Sequence, residues 1–306
     1  MKTYYKYTKY IDLEKLIDFH IRLSAPATLN DPFESILNKV VEEKLKSKLS
    51  LMDLGYPDIS GHFSSSIMER IKNKAIKNLI NDYGVVSLSE TPRNLLMWSH
   101  YANEHEGICI GFNEDLFEDV SHIPTEYEIE YYKPQKVNYD SMRPQNNEII
   151  INPIEEVRVH ARQQLLTKSD EWIYEKEHRC IIPLEVADKM LWLKSNNESS
   201  AESSVQAAID DLRQEKLLDE IATNTYSGVG IMTLVGFANE IKGAIFLKKI
   251  NPKSIKTIHL GCKMDLSKKK EIIFEITSPN CPLHHVKVID CRLSEDRFEL
   301  EMVHIN

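Results

Sequence analysis

Cysteine is scarce: the 306 residues include five, Cys109, Cys180, Cys262, Cys281 and Cys291, with no CxxC pair. An odd number sitting mostly inside apolar runs excludes a disulfide framework and reads as reduced core thiols of a cytoplasmic protein. No run of about 18 apolar residues occurs, and the start MKTYYKYTKYIDLEK has no apolar h-region, so neither a membrane span nor secretion is expected. Basic residues are in deficit, 38 Lys and Arg against 47 Asp and Glu, for a net charge of -9. Broad non-specific binding of nucleic acid rests on neutralising phosphates and is not expected with that balance, which leaves room for a local basic patch. The one basic run, Lys268-Lys269-Lys270, reads as a solvated turn. GxGxxG, GxxxxGK[ST] and GxSxG are all absent, which disfavours Rossmann and P-loop nucleotide sites and a serine elbow. His284 and His285 are adjacent and lack a spaced third ligand, so no metal is expected.

What is present centres on Lys168 to Leu184, KSDEWIYEKEHRCIIPL. In a strand successive side chains alternate, which puts Glu175, Glu177, Arg179 and Ile181 on one face and Tyr174, Lys176, His178, Cys180 and Ile182 on the other. Two carboxylates and a guanidinium then point the same way. Beyond them CIIPL is apolar on both faces, as in a strand that leaves a polar cleft for the core.

The rest of the chain predicts an α+β fold in one domain, with a mixed central sheet flanked by helices, a sheet that the resemblance given below implies is split. Tyr4 to Tyr7 reads as a strand, Leu13, Leu16 and Ile17 as a helix, and HIRLSA at His20 to Ala25 as a second strand with Ile21, Leu23 and Ala25 on one face. Asn30-Asp31-Pro32-Phe33-Glu34 predicts a helix start, Asp31 as N-cap and Glu34 as its capping-box partner, and a helix start also receives anions. Residues 36–82 read as a helical insertion, with Val41, Leu45, Leu49 and Met52 repeating at helical spacing, a break at Gly55 and Pro57, then Ile67, Ile71, Ala75 and Leu79. Thr91-Pro92 predicts a helix closed by Gly107, with Trp98, Tyr101, Ala102 and His105 on one face and His100 and Glu104 nearby. VVSLS, GICIGF, Tyr127–Val137, Gly243–Lys248, Ile255–Cys262, Val286–Asp290 and Phe298–His304 read as strands. Residues 187–228 are expected as a second insertion, a polar loop at Asn196–Ser204 and a charged helix at Val205–Ile221, decorating the surface or closing as a lid.

Four stretches in order carry a resemblance: Tyr5-Lys6-Tyr7, LSAPATLNDPFE, VVSLSETPRNLLMWSHYANEHEGICIGF and KSDEWIYEKEHR, with IKTIHLG trailing. They resemble the bacterial family catalogued as domain of unknown function 2971, some of whose members sit beside toxin or phage-defence genes. A more distant similarity is to the ADP-ribosyltransferases, whose split sheet binds NAD. That similarity implies that Glu175-Lys176-Glu177 is the Glu-x-Glu pair, with Glu177 the main electrostatic catalyst, and that Tyr101 stacks on a ring, Trp98 completing a sandwich. Glu175 and Arg179 would position the ribose or target, Asn30 and Asp31 line the cleft, and Lys6 meet a phosphate. Only Lys6 stands on the first strand where the superfamily has Arg or His, and no Ser-Thr-Ser triplet is present.

The function so implied is a toxin or phage-defence effector acting on NAD as substrate, without metal. It would pass ADP-ribose to a protein, a nucleic acid or water, and be held in check by a neutralising partner. Two other classes fit the same residues: a non-catalytic ligand-sensing or partner-binding module, and a metal-independent nuclease using the carboxylates with His100.

Overall fold

The computed structural model describes residues 2–10, 16–55, 64–117, 132–145, 150–196 and 199–305. Three apolar or aromatic runs form strands as expected: β1 (Thr3–Thr8), β2 (His20–Leu23) and, after two helices, β3 (Tyr83–Ser89). Those helices are α1 (Lys39–Lys48) and α2 (Ser65–Asn81). Helix α3 (Leu95–Tyr101) leads into β4 (Ile108–Asn113), and the short β5 (Gln135–Lys136) and β6 (Asn138–Tyr139) precede α4 (Pro153–Leu165). Next come β7 (Thr167–Lys168), β8 (Glu177–Pro183), β9 (Lys189–Trp192), α5 (Ser200–Gln214), β10 (Asp219–Ala222) and β11 (Thr225–Ser227). The chain continues through α6 (Ile231–Ala238), β12 (Ala244–Lys249), β13 (Ile255–Leu260), α7 (Leu266–Thr277), β14 (Lys287–Leu293) and β15 (Leu300–His304).

The fold is α+β. An eight-stranded sheet runs β15-β14-β13-β4-β1-β3-β8-β5, antiparallel except for β13 and β14. Helix α7 makes the crossover that such a parallel pair requires. A five-stranded antiparallel sheet runs β10-β11-β9-β12-β2 and joins the first where Ser24 bridges Val85. Val86, Leu88, Cys180 and Ile182 pack toward the second sheet with Leu23, Met190, Phe246 and the Val205 and Ile209 of α5. On the opposite face Val85 and Ile181 pack under α1, α2 and α4 through Leu45, Ile76, Ile80, Val157 and Leu165. Covered on both sides, β8 is buried along its whole length, which is why its apolar part does not alternate.

The eight-stranded sheet nearly divides in its middle. β1 pairs with β4 from Thr3–Asn113 to Thr8–Ile108, but meets β3 at Tyr5–Ser89 alone.

Several local expectations are corrected. Glu175 is not on a strand: Asp170–Glu175 is a 3-10 turn, Lys176 is left-handed at φ 47°, and β8 starts at Glu177. Residues 32–35 form a turn rather than a helix, because the Asp31 carboxylate accepts the Phe33 N–H in a local turn while Glu34 turns to a distant partner. Helix α3 is capped by Asn94, not Thr91, and ends at Tyr101; Asn103, Glu104 and His105 follow at φ 48°, 52° and 76°. That reversal separates His105 from the Trp98 and Tyr101 face. In α2 the buried apolar residues are Ile76 and Ile80, one step from the expected row, and Met52 is exposed. Helix α5 starts at Ser200, inside the stretch read as loop, because Ser199 and Glu202 form a capping box. It ends at Gln214, and Ile221 lies on β10. Residues 187–228 therefore contribute three strands of the second sheet and a helix with Val205, Ile209 and Leu212 in its core. Of the expected helix at Leu13, Leu16 and Ile17, the last two are helical; Leu13, the break at Pro57 and the part of the Tyr127–Val137 strand before Tyr132 lie outside the described residues.

Candidate functional site

Where β1 and β3 part, a cavity of about 230 Å³ opens, bounded by β1, β2, β3, α3 and the Lys168–Arg179 segment. Local sequence makes the room. β3 sends Val86 and Leu88 to the core, so its other face presents Ser87 and Ser89, two small hydroxyl side chains. Directly across the strand pair, Ser87 lies opposite Arg179 and Ser89 opposite Glu177.

Five buried charged groups form one wall. Arg179 clamps Glu177 with both arms, Nε to Oε1 at 2.7 Å and Nη2 to Oε2 at 2.8 Å, the fork geometry that makes Arg–carboxylate pairs strong. It also donates to Glu34 Oε1 at 2.5 Å and to the Leu165 carbonyl at 2.7 Å. Lys168 donates to Glu175 Oε2 at 2.6 Å and to Glu177 Oε2 at 3.4 Å, and sits 4.4 Å from the Trp172 ring centre. The other oxygen of Glu175 accepts the Tyr101 hydroxyl at 2.6 Å. Tyr139 Oη accepts the Glu177 N–H at 2.7 Å and Ser89 donates to the Glu175 carbonyl at 2.7 Å, so both ends of the Glu175–Glu177 link are fixed.

Proton affinities follow from this packing. Burial pushes the Glu177 carboxyl up, but Arg179 and Lys168 outweigh it and hold it down to about 2. Burial raises Glu34, and here the same two cations do not overcome it. Tyr101 is raised by burial and by its hydrogen bond to Glu175, so its hydroxyl stays protonated and donating. Across the cavity burial lowers Lys6 to about 8, with Glu177 opposing and Arg22 reinforcing the shift.

Of the residues singled out in the sequence, Lys6, Asn30, Tyr101, Glu175, Glu177 and Arg179 line this one cavity. Three do not. Trp98 is fully buried, edge-on to Tyr7 with ring centres 5.4 Å apart, and donates its indole N–H to the Pro92 carbonyl at 2.7 Å; it is core, not a stacking platform. His100 is exposed, with its ring centre 6.3 Å from those of Tyr101 and Tyr174. Asp31 is buried but faces a second pocket, beyond Glu34 and Lys168, which line both. Tyr101 itself meets Glu175 through its hydroxyl.

The cavity also holds charged groups the sequence reading passed over: Lys168, Glu34 and Arg22. Lys168 was inside the central motif, one turn from the acidic pair. Arg22 carried a signal too, because Ile21 and Leu23 are core and alternation turns Arg22 the other way. Glu34 gave none, since a capping box explained it locally.

Among the described residues, no group of three or more His, Cys, Asp or Glu is placed to hold a metal ion, and no helix is long and apolar enough to cross a membrane. No curated protein and no solved structure matches the chain. One family match does exist, and it covers α3, β4 and the segment through Glu175, Glu177 and Arg179. Over residues 97–180 the chain matches the model of the family described as Protein of unknown function (DUF2971).

Proposed function

We propose that this cavity binds NAD or a related nucleotide and that the protein is an ADP-ribosyltransferase-like effector of the toxin or phage-defence type. The observation that carries the reading is convergence: Lys6 of β1, Asn30 of the turn, Tyr101 of α3 and Glu175 and Glu177 come from four separate segments and face one space. Cleaving a nicotinamide–ribose bond builds positive charge on the ribose, and a fixed carboxylate beside it stabilises that charge. Geometry favours Glu175 over Glu177 for the task. Glu177 has both oxygens clamped by Arg179, whereas Glu175 has the neutral Tyr101 hydroxyl on one oxygen and Lys168 on the other. Glu177 and Arg179 then position the segment, and Lys168 fixes the second oxygen of Glu175. A cavity of about 230 Å³ is smaller than the roughly 300–1,000 Å³ usual for ligand pockets, so it encloses the ribosyl end of a dinucleotide while the adenosine lies outside. The acceptor is a protein, a nucleic acid or water.

A second reading, a non-catalytic ligand-sensing module, is favoured by the fact that Glu34, Glu175 and Glu177 each already have a cationic partner. Incubation with NAD followed by mass analysis separates the two. Catalysis predicts released nicotinamide, reduced about 100-fold or more in Glu175→Gln, on the scale of losing one electrostatic stabiliser. NAD that stabilises the protein yet is recovered intact sinks the transferase reading and leaves the sensor.

A further inference from the structure

The cavity is unusual in its charge count. Four cations, Lys6, Arg22, Lys168 and Arg179, line it with three carboxyl groups, Glu34, Glu175 and Glu177, in a protein whose net charge is -9. Lys168 and Arg179 are consumed by the carboxylates. Lys6 has a single hydrogen bond, to the Ser87 carbonyl at 3.3 Å, and neither it nor Arg22 has an ion-pair partner among the described residues. The Nε of Arg22 is shut off from solvent with no hydrogen-bond partner among the described residues. Arg22 as a whole is half-buried, but its Nε is a buried donor without an acceptor, which calls for an explanation.

We infer that Arg22 and Lys6 form an anion subsite that receives a phosphate or diphosphate group of the ligand. The two lie on different sheets, Arg22 on β2 and Lys6 on β1, brought together because Ser24 bridges β2 to β3. They face one another closely enough for Arg22 to help lower the Lys6 ammonium, behind burial as the larger cause. An oxyanion between them removes that repulsion and gives Nε its acceptor. Arg suits this task because its fork of donors matches phosphate oxygens. The Glu175–Glu177 segment lines the same cavity, so a ligand filling it presents phosphate to Arg22 and Lys6 and its sugar to the carboxylates. This rests on the nucleotide reading only for the identity of the ligand; the anion chemistry stands without it.

The test is a thermal-shift and calorimetric titration of the full chain with inorganic pyrophosphate, ADP-ribose and adenosine, repeated with Arg22→Met. Replacing a half-buried cation that has no counter-charge by an apolar side chain of similar length leaves the unliganded protein about as stable, and the unliganded melting temperature of the variant checks that loss of binding does not reflect unfolding. Pyrophosphate and ADP-ribose are expected to bind wild type saturably and to lose about tenfold to a hundredfold in affinity in the variant, the range for hydrogen bonds to a charged group. Adenosine, which has no phosphate, binds both proteins alike. Arg22-dependent pyrophosphate binding without ADP-ribose binding keeps the subsite and assigns it to a non-nucleotide phosphate. Unchanged affinities in Arg22→Met, or no pyrophosphate binding to wild type, overturn the inference. Arg22-dependent binding with NAD left intact sinks the transferase reading alone, whereas undiminished nicotinamide release in Arg22→Met with weak or absent pyrophosphate binding sinks the subsite alone.

Discussion

Glu175 and Glu177 are two residues apart and do different things, because Arg179 reaches one of them and Tyr101 the other. Removing one partner of a buried ion pair costs about 3–5 kcal/mol. Glu177→Gln is therefore expected to lower the melting temperature by on the order of 10 °C, using roughly 2–4 °C per kcal/mol for a chain of this class. Glu175→Gln keeps an acceptor for Tyr101, and Lys168 still faces Glu177 and Glu34, so its melting temperature should fall by less than half as much. Equal losses in the two variants, read by calorimetry, would contradict the division of roles. The pH dependence has a defined sign. The Glu177 carboxyl is lowered from 4.5 to about 2 in the folded protein, so its contribution is complete above pH about 4.5 and is lost as pH falls toward about 2. The stability gap between wild type and Glu177→Gln should accordingly shrink on acidification through that window. A gap that stays constant from pH 6 to pH 3 would remove Glu177 from the ion pair. The acidic pair was legible from alternation alone, yet the alternation was wrong in detail. A left-handed Lys176 cannot be read from a lysine codon's neighbours, and the 145-residue separation between Glu34 and Arg179 exceeds any local pattern.

At the scale of elements, the short helix α3 brings Tyr101 to Glu175, and Asn94 connects the two. Its Oδ1 accepts the Leu96 and Met97 N–H groups at 3.0 and 3.3 Å, capping the helix, while its Nδ2 donates to the Tyr174 carbonyl beside Glu175. Asn94→Ala should lose about 1 kcal/mol from the cap and also the tie to the turn. Asn94→Asp keeps the cap and loses the donor. If the tie positions Tyr101 against Glu175, nicotinamide release falls in both variants while only the alanine loses several degrees of melting temperature; wild-type turnover in Asn94→Asp would show that the tie is structural only. The far end of α3 is held by Gly107, where a Cβ would come within 2.4 Å of the Thr8 carbonyl oxygen, so β1 and the helix exit pack against bare backbone. Sequence reading found this helix but put its start at Thr91-Pro92. Thr91 and Asn94 are both good caps, and it is the tertiary bond to the Tyr174 carbonyl that favours Asn94. The strands were more legible: VVSLS, GICIGF and CIIPL are apolar runs, and burial on both faces needs nothing else. Helix α5 was read one turn late, since NNESSAESS has the composition of a loop and its capping box at Ser199 and Glu202 is a spacing, not a composition.

At the scale of the molecule, the site exists because an eight-stranded sheet is paired continuously except between β1 and β3. The expectation of a split sheet came from a resemblance, and no residue pattern announces a missing ladder. It takes the pairing itself to see that a second sheet, attached at Ser24 and Val85, brings Arg22 to the opening. Two insertion-like stretches have separate parts in this. Helices α1 and α2 cover the face behind Ile181, and the 187–228 stretch builds the sheet that carries β2. The central claim is that the opening between β1 and β3 is where a nucleotide binds, and amide hydrogen exchange with and without saturating NAD tests it most directly. Binding there slows exchange at Tyr5–Tyr7, Ser87–Ser89 and the turn around Asn30, with little change in α7 and β15; protection confined to other elements, or none at saturation, would contradict the account.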